Sequence, residues 1–197
     1  MKFAIRALAV AALLMLAGRV WADEPVQKDA PAKPDAAAKA GLSVGQQAPE
    51  FKIKDSSGKV IDLAELSAKG PVLVRLTCGC IGCDKELTYF QALHEAYKGD
   101  GLTSVAVFRE PDKKVEDYVK EKKLDMLYAI DSKGESWKTF QTKTMPSNFL
   151  IGKGGKIAAI AYGCDPSGLL AKGLSDKVAK LVGSKPVDVK ASVDAKK

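Results

Sequence analysis

The chain has 197 residues, 46% of them hydrophobic and 28% charged, with a formal charge of +7, four cysteines and a single histidine. That size and apolar content suit one folded domain with a real core. The lysines form no dense patch interleaved with aromatics, which argues against a nucleic-acid binder.

Residues 1–22 read as a secretory leader. Lys2 and Arg6 precede the apolar run from Ala7 to Gly18, which is too short to span a bilayer comfortably. Val20 and Ala22 supply the small residues expected just before a cleavage site, so Asp23 would begin the mature chain. Loss of Lys2, Arg6 and Arg19 with the leader lowers the positive charge by three. An uncleaved N-terminal membrane anchor is the alternative. Residues 23–41, rich in Ala, Lys, Asp and Pro without apolar periodicity, predict a disordered spacer. Residues 184–197 predict a flexible basic tail, which leaves a domain over 42–183. A leader implies a periplasmic or other extracytoplasmic location, where dithiols tend to oxidise.

The domain opens with an extended segment in which Phe51 and Ile53 alternate with polar residues. Asp55-Ser56-Ser57-Gly58 is turn chemistry, and Val60, Ile61 and Leu63 predict the return strand of a β-hairpin. A short helical turn is expected from Asp62 to Leu66. Val72 to Leu76 predicts a central strand buried on both faces, interrupted by Arg75.

Three cysteines follow within six residues, Cys78-Gly79-Cys80-Ile81-Gly82-Cys83. An amphipathic segment starts there, with Leu87, Phe90, Leu93 and Tyr97 at helical spacing. A Cys-x-x-Cys at a strand-to-helix junction puts its first thiol among unpaired N–H groups at the positive end of the helix dipole, which favours the thiolate. Cys80 is therefore the expected attacking thiol and Cys83, one turn in, the resolving one. Structural zinc is disfavoured, because there is no second Cys-x-x-Cys and the lone His94 is distant in sequence. His94, beside the apolar stripe, is expected at the helix surface or edge.

Strands are then expected over Leu102 to Phe108 and Leu124 to Ile130, separated by a charged helix from Pro111 to Lys123 with Val115, Tyr118 and Val119 inward. A short helix from Ser136 to Thr142 carries Trp137 and Phe140. Met145 to Ile151 and Lys156 to Tyr162 flank Gly152-Lys153-Gly154-Gly155 and predict a second hairpin. The glycines lack the spacing of a phosphate-binding loop. A helix from Asp165 to Val182, capped by Asp165 and striped by Leu170, Leu174, Val178 and Leu181, ends the domain.

In this order, Val44-Gly45-Gln46-Gln47-Ala48-Pro49-Glu50-Phe51, the Cys80-to-Cys83 motif, Asp84-Lys85-Glu86-Leu87 and Met145-Pro146-Ser147-Asn148-Phe149-Leu150-Ile151 resemble the thioredoxin superfamily. The nearest branch is the TlpA/ResA-like exported thiol–disulfide oxidoreductases, related to the redoxins of the AhpC/TSA type. The resemblance covers about residues 43–183. It implies a three-layer α/β fold with a central mixed sheet, helices on both faces and the N-terminal hairpin. It implies exchange of disulfides with protein substrates, acting as a reductase re-reduced by a membrane electron donor, with no cofactor and no nucleic acid. It also implies a cis Pro146 that presents the Met145 backbone to substrate, and Glu86 as the acid–base group for Cys83. Gly79 and Gly82 stand where the family usually has Trp and Pro. Cys78 and Cys164 are extra; a second disulfide between them, as a staple or a second redox couple, is one expectation, and free buried thiols are the alternative.

Two alternatives stay open. A thiol peroxidase is suggested by Thr77 three residues before Cys80, with Arg109 as an activating arginine, although Leu73 stands where that family places a proline. A Cu(I)-binding thioredoxin-like protein is suggested by the soft thiolates of Cys78, Cys80 and Cys83.

Overall fold

The computed structural model describes residues 41–196. The leader expected over 1–22, and the spacer apart from Gly41, lie outside the described residues.

The chain enters through a two-stranded antiparallel hairpin, β1 (Lys52–Lys54) and β2 (Val60–Asp62). The Asp55 carboxylate closes its turn by accepting from the backbone N–H groups of Ser57 and Lys59 and from the Ser57 hydroxyl. Leu63, expected to end β2, instead begins helix α1 (Leu63–Lys69). The reason is Asp62, whose carboxylate accepts from the Ala64 N–H at 2.9 Å and so caps the helix.

The centre is a five-stranded mixed sheet in the order β5-β4-β3-β6-β7. It comprises β3 (Val72–Thr77), β4 (Thr103–Phe108), β5 (Leu127–Ile130), β6 (Ser147–Ile151) and β7 (Ile157–Tyr162). Strands β3, β4 and β5 run parallel, and β6 and β7 form the antiparallel hairpin. The parallel connections are helices α2 (Ile81–Tyr97) and α3 (Asp112–Lys122). A short 3-10 turn over Lys98–Asp100 follows α2, and Gly101 at φ 99° turns the chain into β4. Helices α4 (Glu135–Thr139) and α5 (Leu169–Val182) complete the expected set.

The period-two alternation of β3 divides the core. Val72, Val74 and Leu76 join Val105, Val107, Phe149, Ile151, Trp137, Phe140 and the N-terminal hairpin on one face. Leu73 on the other face packs with Leu150 and the apolar stripe of α2, including Phe90, Leu93 and Tyr97. Arg75 lies on that second face, two residues from Leu73.

Three expectations change. His94 is buried, not at the surface, and its Nδ1 shares a hydrogen bond with Ser104 Oγ on β4 at 3.2 Å. Burial holds its pKa below the usual imidazole value. Helix α5 starts at Leu169, because Gly168 at φ 81° occupies the cap position. Asp165 supports that start from outside the helix, accepting from the Leu170 N–H. Finally, the segment read as a flexible tail contains a sixth helix, α6 (Val189–Asp194), capped by the Asp188 carboxylate. Val189 is fully buried against α2 and α5, and the Val187 N–H donates to the Tyr97 hydroxyl at 2.8 Å. One apolar residue per turn is enough to dock so short a helix, but too little to register as a periodic pattern.

Candidate active site

Strand β3 delivers the chain to Cys78, and α2 leaves from Cys80. Cys80 is the N-cap of α2, has extended backbone and is exposed. Cys83 lies one turn in, on the stripe that α2 turns to the sheet, and is buried. All four cysteines are free thiols. The Sγ atoms of Cys78, Cys80 and Cys83 lie within 4.8 Å of one another.

The thiol of Cys80 is held below its ordinary pKa. The largest cause is the hydrogen bond from Cys78 Sγ at 2.6 Å, with further support from the backbone N–H groups of Cys83 and Gly82 at the helix start. Cys78 moves the other way, because burial and the neighbouring sulfur atoms disfavour its thiolate. The site therefore concentrates negative charge on the accessible sulfur.

The loop carrying these thiols is fixed from two sides. The Gly79 N–H donates to Glu110 Oε1 at 2.6 Å, just beyond the end of β4. Tyr118 on α3 donates to Asp84 Oδ1 at 3.0 Å in the first turn of α2, and Lys122 pairs with the same carboxylate. A shallow cavity of about 250 Å³ beside Gly79 is lined by Phe108, Glu110, Lys114, Val115 and Tyr118.

Beneath the dithiol lies a buried ion pair. Arg75 Nη2 donates to Glu86 Oε2 at 2.6 Å, Nη1 donates to Asn148 Oδ1 on β6 at 2.9 Å, and the guanidinium stacks 4.1 Å over the Phe90 ring. Glu86 Oε1 accepts from the Asp165 N–H. Glu86 is thus an interior residue tied to β3 and to the start of the α5 segment.

The Met145–Pro146 peptide bond is cis. The Pro146 carbonyl accepts from Gly163 N–H at 2.9 Å, and the next residue, Cys164, donates from Sγ to the Gly82 carbonyl at 2.9 Å. The proline loop, the end of β7 and the cysteine motif therefore form one continuous surface. The extra cysteines are both free thiols with different nearest contacts. Cys164 faces Gly82, while the contacts of Cys78 are the sulfur atoms of Cys80 and Cys83.

The profile of the AhpC/TSA family matches residues 44–160, from the turn before the N-terminal hairpin to the last strand of the sheet. The chain belongs to the AhpC/TSA family. Within it, the chain is 36% identical over 117 residues to the thiol-disulfide oxidoreductase ResA of Bacillus thuringiensis subsp. konkukian, covering 59% of this chain and 68% of that one. Among solved structures, StoA from Bacillus subtilis superposes with a TM-score of 0.54 at 28% identity, covering 68% of this chain and 98% of StoA. A Chlorobium tepidum structure described as a thiol:disulfide interchange protein DsbE gives a TM-score of 0.65 at 23% identity, covering 72% and 99%. That last likeness concerns the fold alone, and it confirms the thioredoxin-like layering.

The peroxidase alternative singled out Thr77 and Arg109, and the Cu(I) alternative the three clustered thiols. Thr77 is buried and turns its hydroxyl to the Cys78 carbonyl. Arg109 is exposed and lies over the ring of Trp137, whose core is on the opposite face of the sheet from Arg75 and α2. The three clustered thiols have the chemistry to hold a soft ion. A second group, His94 with Glu95 and Asp125, is already bridged by the Lys98 ammonium between its two carboxylates.

Sequence reasoning missed Arg75, Asn148, Glu110 and Tyr118. A signal existed for Arg75, since a cation inside a buried strand requires an anion opposite. Nothing local marked Glu110, which reaches Gly79 only because β4 lies beside β3.

Proposed function

We propose that the chain is an exported thiol–disulfide oxidoreductase that reduces disulfides in protein substrates. The observation that carries this reading is the exposed Cys80 at the start of α2, its thiolate favoured by a donor sulfur and helix N–H groups, with Cys83 buried within 4.8 Å. The Cys80 thiolate attacks one sulfur of the substrate disulfide, and the other leaves as a thiol. Cys83 then attacks Cys80 Sγ, forming the internal disulfide and releasing the second substrate thiol. Glu86, one turn from Cys83 on the same face of α2, takes the Cys83 proton in this reading, and the ion pair with Arg75 fixes its carboxylate in place. Met145 and Pro146 supply the backbone edge against which an extended substrate segment docks. A membrane-bound electron donor then re-reduces the pair. The ResA relative supports the reaction class, and the leader-like residues 1–22 support a periplasmic or extracytoplasmic site of action.

Insulin turbidimetry with a chemical reductant tests the central step. The unmutated chain accelerates precipitation of the insulin B chain, and Cys80→Ser abolishes that acceleration. Retained turnover in Cys80→Ser would remove Cys80 as the attacking thiol.

A further inference from the structure

The Cys78 side chain lies inside the dithiol and not beside it. Its Sγ is 2.6 Å from Cys80 Sγ and 3.2 Å from Cys83 Sγ. A disulfide needs about 2.05 Å between sulfur atoms, so closing Cys78 onto Cys80 takes a shift of roughly half an ångström. The position is not accidental to a loose loop. Thr77, immediately before, is paired in the sheet with Phe108, and the Gly79 N–H, immediately after, is held by Glu110 Oε1. Cys78 is half-buried behind an exposed Cys80, so an incoming disulfide meets Cys80 first.

We propose that Cys78 is a third redox thiol of this site, resolving the Cys80 mixed disulfide by forming a Cys78–Cys80 bridge that Cys83 then converts to Cys80–Cys83. The proposal rests on the Cys80–Cys83 dithiol reading above and inserts a step into it: Cys78 releases the substrate, and Cys83 then acts on the Cys78–Cys80 bridge in place of the mixed disulfide. In the first step Cys80 is already bonded to a substrate sulfur. Cys78 attacks Cys80 Sγ, the Cys80–substrate bond breaks, and the substrate sulfur leaves with the proton given up by Cys78. The substrate disulfide has gained two electrons and the Cys78–Cys80 pair has lost them. In the second step Cys83, its proton taken by Glu86, attacks Cys80 Sγ; a Cys80–Cys83 bond forms, the Cys78–Cys80 bond breaks, and Cys78 leaves and receives the proton from Glu86. No further oxidant or reductant enters. Cys83 Sγ lies within 4.8 Å of Cys80 Sγ, close enough for this second exchange. Cys164, turned to the Gly82 carbonyl, has no part in this exchange.

The experiment uses dithiobis(nitrobenzoate), a chromogenic aromatic disulfide, at one equivalent to prereduced full-length protein. Cys83→Ser/Cys164→Ser is expected to release about two nitrothiobenzoate anions per reagent and to finish without an adduct in the intact mass. Adding Cys78→Ser should stop release at about one and leave the adduct on Cys80. If Cys83→Ser/Cys164→Ser keeps its adduct while Cys78→Ser/Cys164→Ser releases both anions, the Cys80–Cys83 dithiol stands and the role of Cys78 is refuted. If both stall, the dithiol reading fails and this proposal with it.

A second measurement needs no substitution. All three thiols fall on one tryptic peptide, Leu76 to Lys85. The unmutated protein is quenched early in oxidation, blocked with one alkylating agent, reduced and labelled with another. A population blocked at Cys83 and newly labelled at Cys78 and Cys80 supports the bridge. Blocking at Cys78 alone, at every time point, overturns it.

Discussion

Replacing Glu86 by Gln isolates a charge at the centre of the molecule. Arg75 is 1% exposed and Glu86 fully buried, so neither partner has water to fall back on. The glutamine amide keeps the shape and one acceptor, but it no longer neutralises the guanidinium held at 2.6 Å. Opposite charges about 4 Å apart, at an effective dielectric of about 20, attract by about 4 kcal/mol, and breaking one partner of a buried pair costs about 3–5 kcal/mol. The remaining contacts of Arg75, to Asn148 and to the Phe90 face, are dipolar or quadrupolar and cannot replace a full charge. For a chain of this size each kcal/mol lowers the melting midpoint by about 2–4 °C, so Glu86→Gln should melt roughly 10 °C lower. The assay is a thermal melt of fully reduced protein at neutral pH, followed by circular dichroism. Arg75→Met/Glu86→Leu removes the stranded charge and fills the space, and should recover much of the loss. The recovery is incomplete because the Asp165 N–H and Asn148 Oδ1 then lose partners. A Glu86→Gln midpoint equal to that of the unmutated chain would refute the ion-pair argument, as would a double variant less stable than the single one. Insulin reduction measured well below both midpoints separates the second role of Glu86. A lost rate in a folded Glu86→Gln protein reports proton transfer, whereas a normal rate leaves Glu86 as a structural anchor.

Alkylation of Cys80 by iodoacetamide across pH should show a midpoint below that of an ordinary thiol, and Cys78→Ala should raise it. Removing the donor withdraws the largest contribution that favours the thiolate, and an unmoved midpoint would mean that the hydrogen bond is absent in solution. The linked sign follows. A depressed thiol pKa stabilises the reduced fold above the ordinary thiol range, and that increment is lost as pH falls through the depressed value. For the C-terminal helix, Val189→Ala deletes two buried methyl groups between α2 and α5 and should cost about 2 kcal/mol in urea unfolding. An unchanged midpoint would mean that α6 is not docked.

Most of the fold was legible because its signals are local and periodic. The hairpins announce themselves through Asp55-Ser56-Ser57-Gly58 and the glycines after Ile151, and α2 through Leu87, Phe90, Leu93 and Tyr97. The misplacement of His94 and the missed ion pair share one cause. Glu86, Phe90 and His94 are spaced by four residues, and so lie on the same stripe of α2 as the apolar residues. A count of apolar residues passes over both polar ones, and it leaves His94 at the surface, whereas the resemblance alone marks Glu86. The structure buries both, each against a partner on a neighbouring strand, Arg75 on β3 and Ser104 on β4. The alternation of β3 carried the matching clue, since Arg75 shares a face with Leu73, and Leu73 packs against α2.

The cysteines mark the opposite limit. Their chemistry was readable from the spacing of Cys80 and Cys83, because a strand-to-helix junction fixes the helix end at which a Cys-x-x-Cys must sit. The direction of Cys78 was not, because a loop has no period and its side chains point where tertiary contacts send them. Here those contacts are the Glu110 carboxylate holding the Gly79 N–H and the β3–β4 pairing that ends at Thr77. Both depend on residues some thirty positions away. The same geometry turns Cys164 to Gly82 and leaves Cys78 against Cys80 in the reduced protein. A third thiol this close to an attacking sulfur cannot be inert to its chemistry. It either donates to the thiolate or competes for the mixed disulfide, and the first arrangement delivers the sulfur atom to the place from which it performs the second.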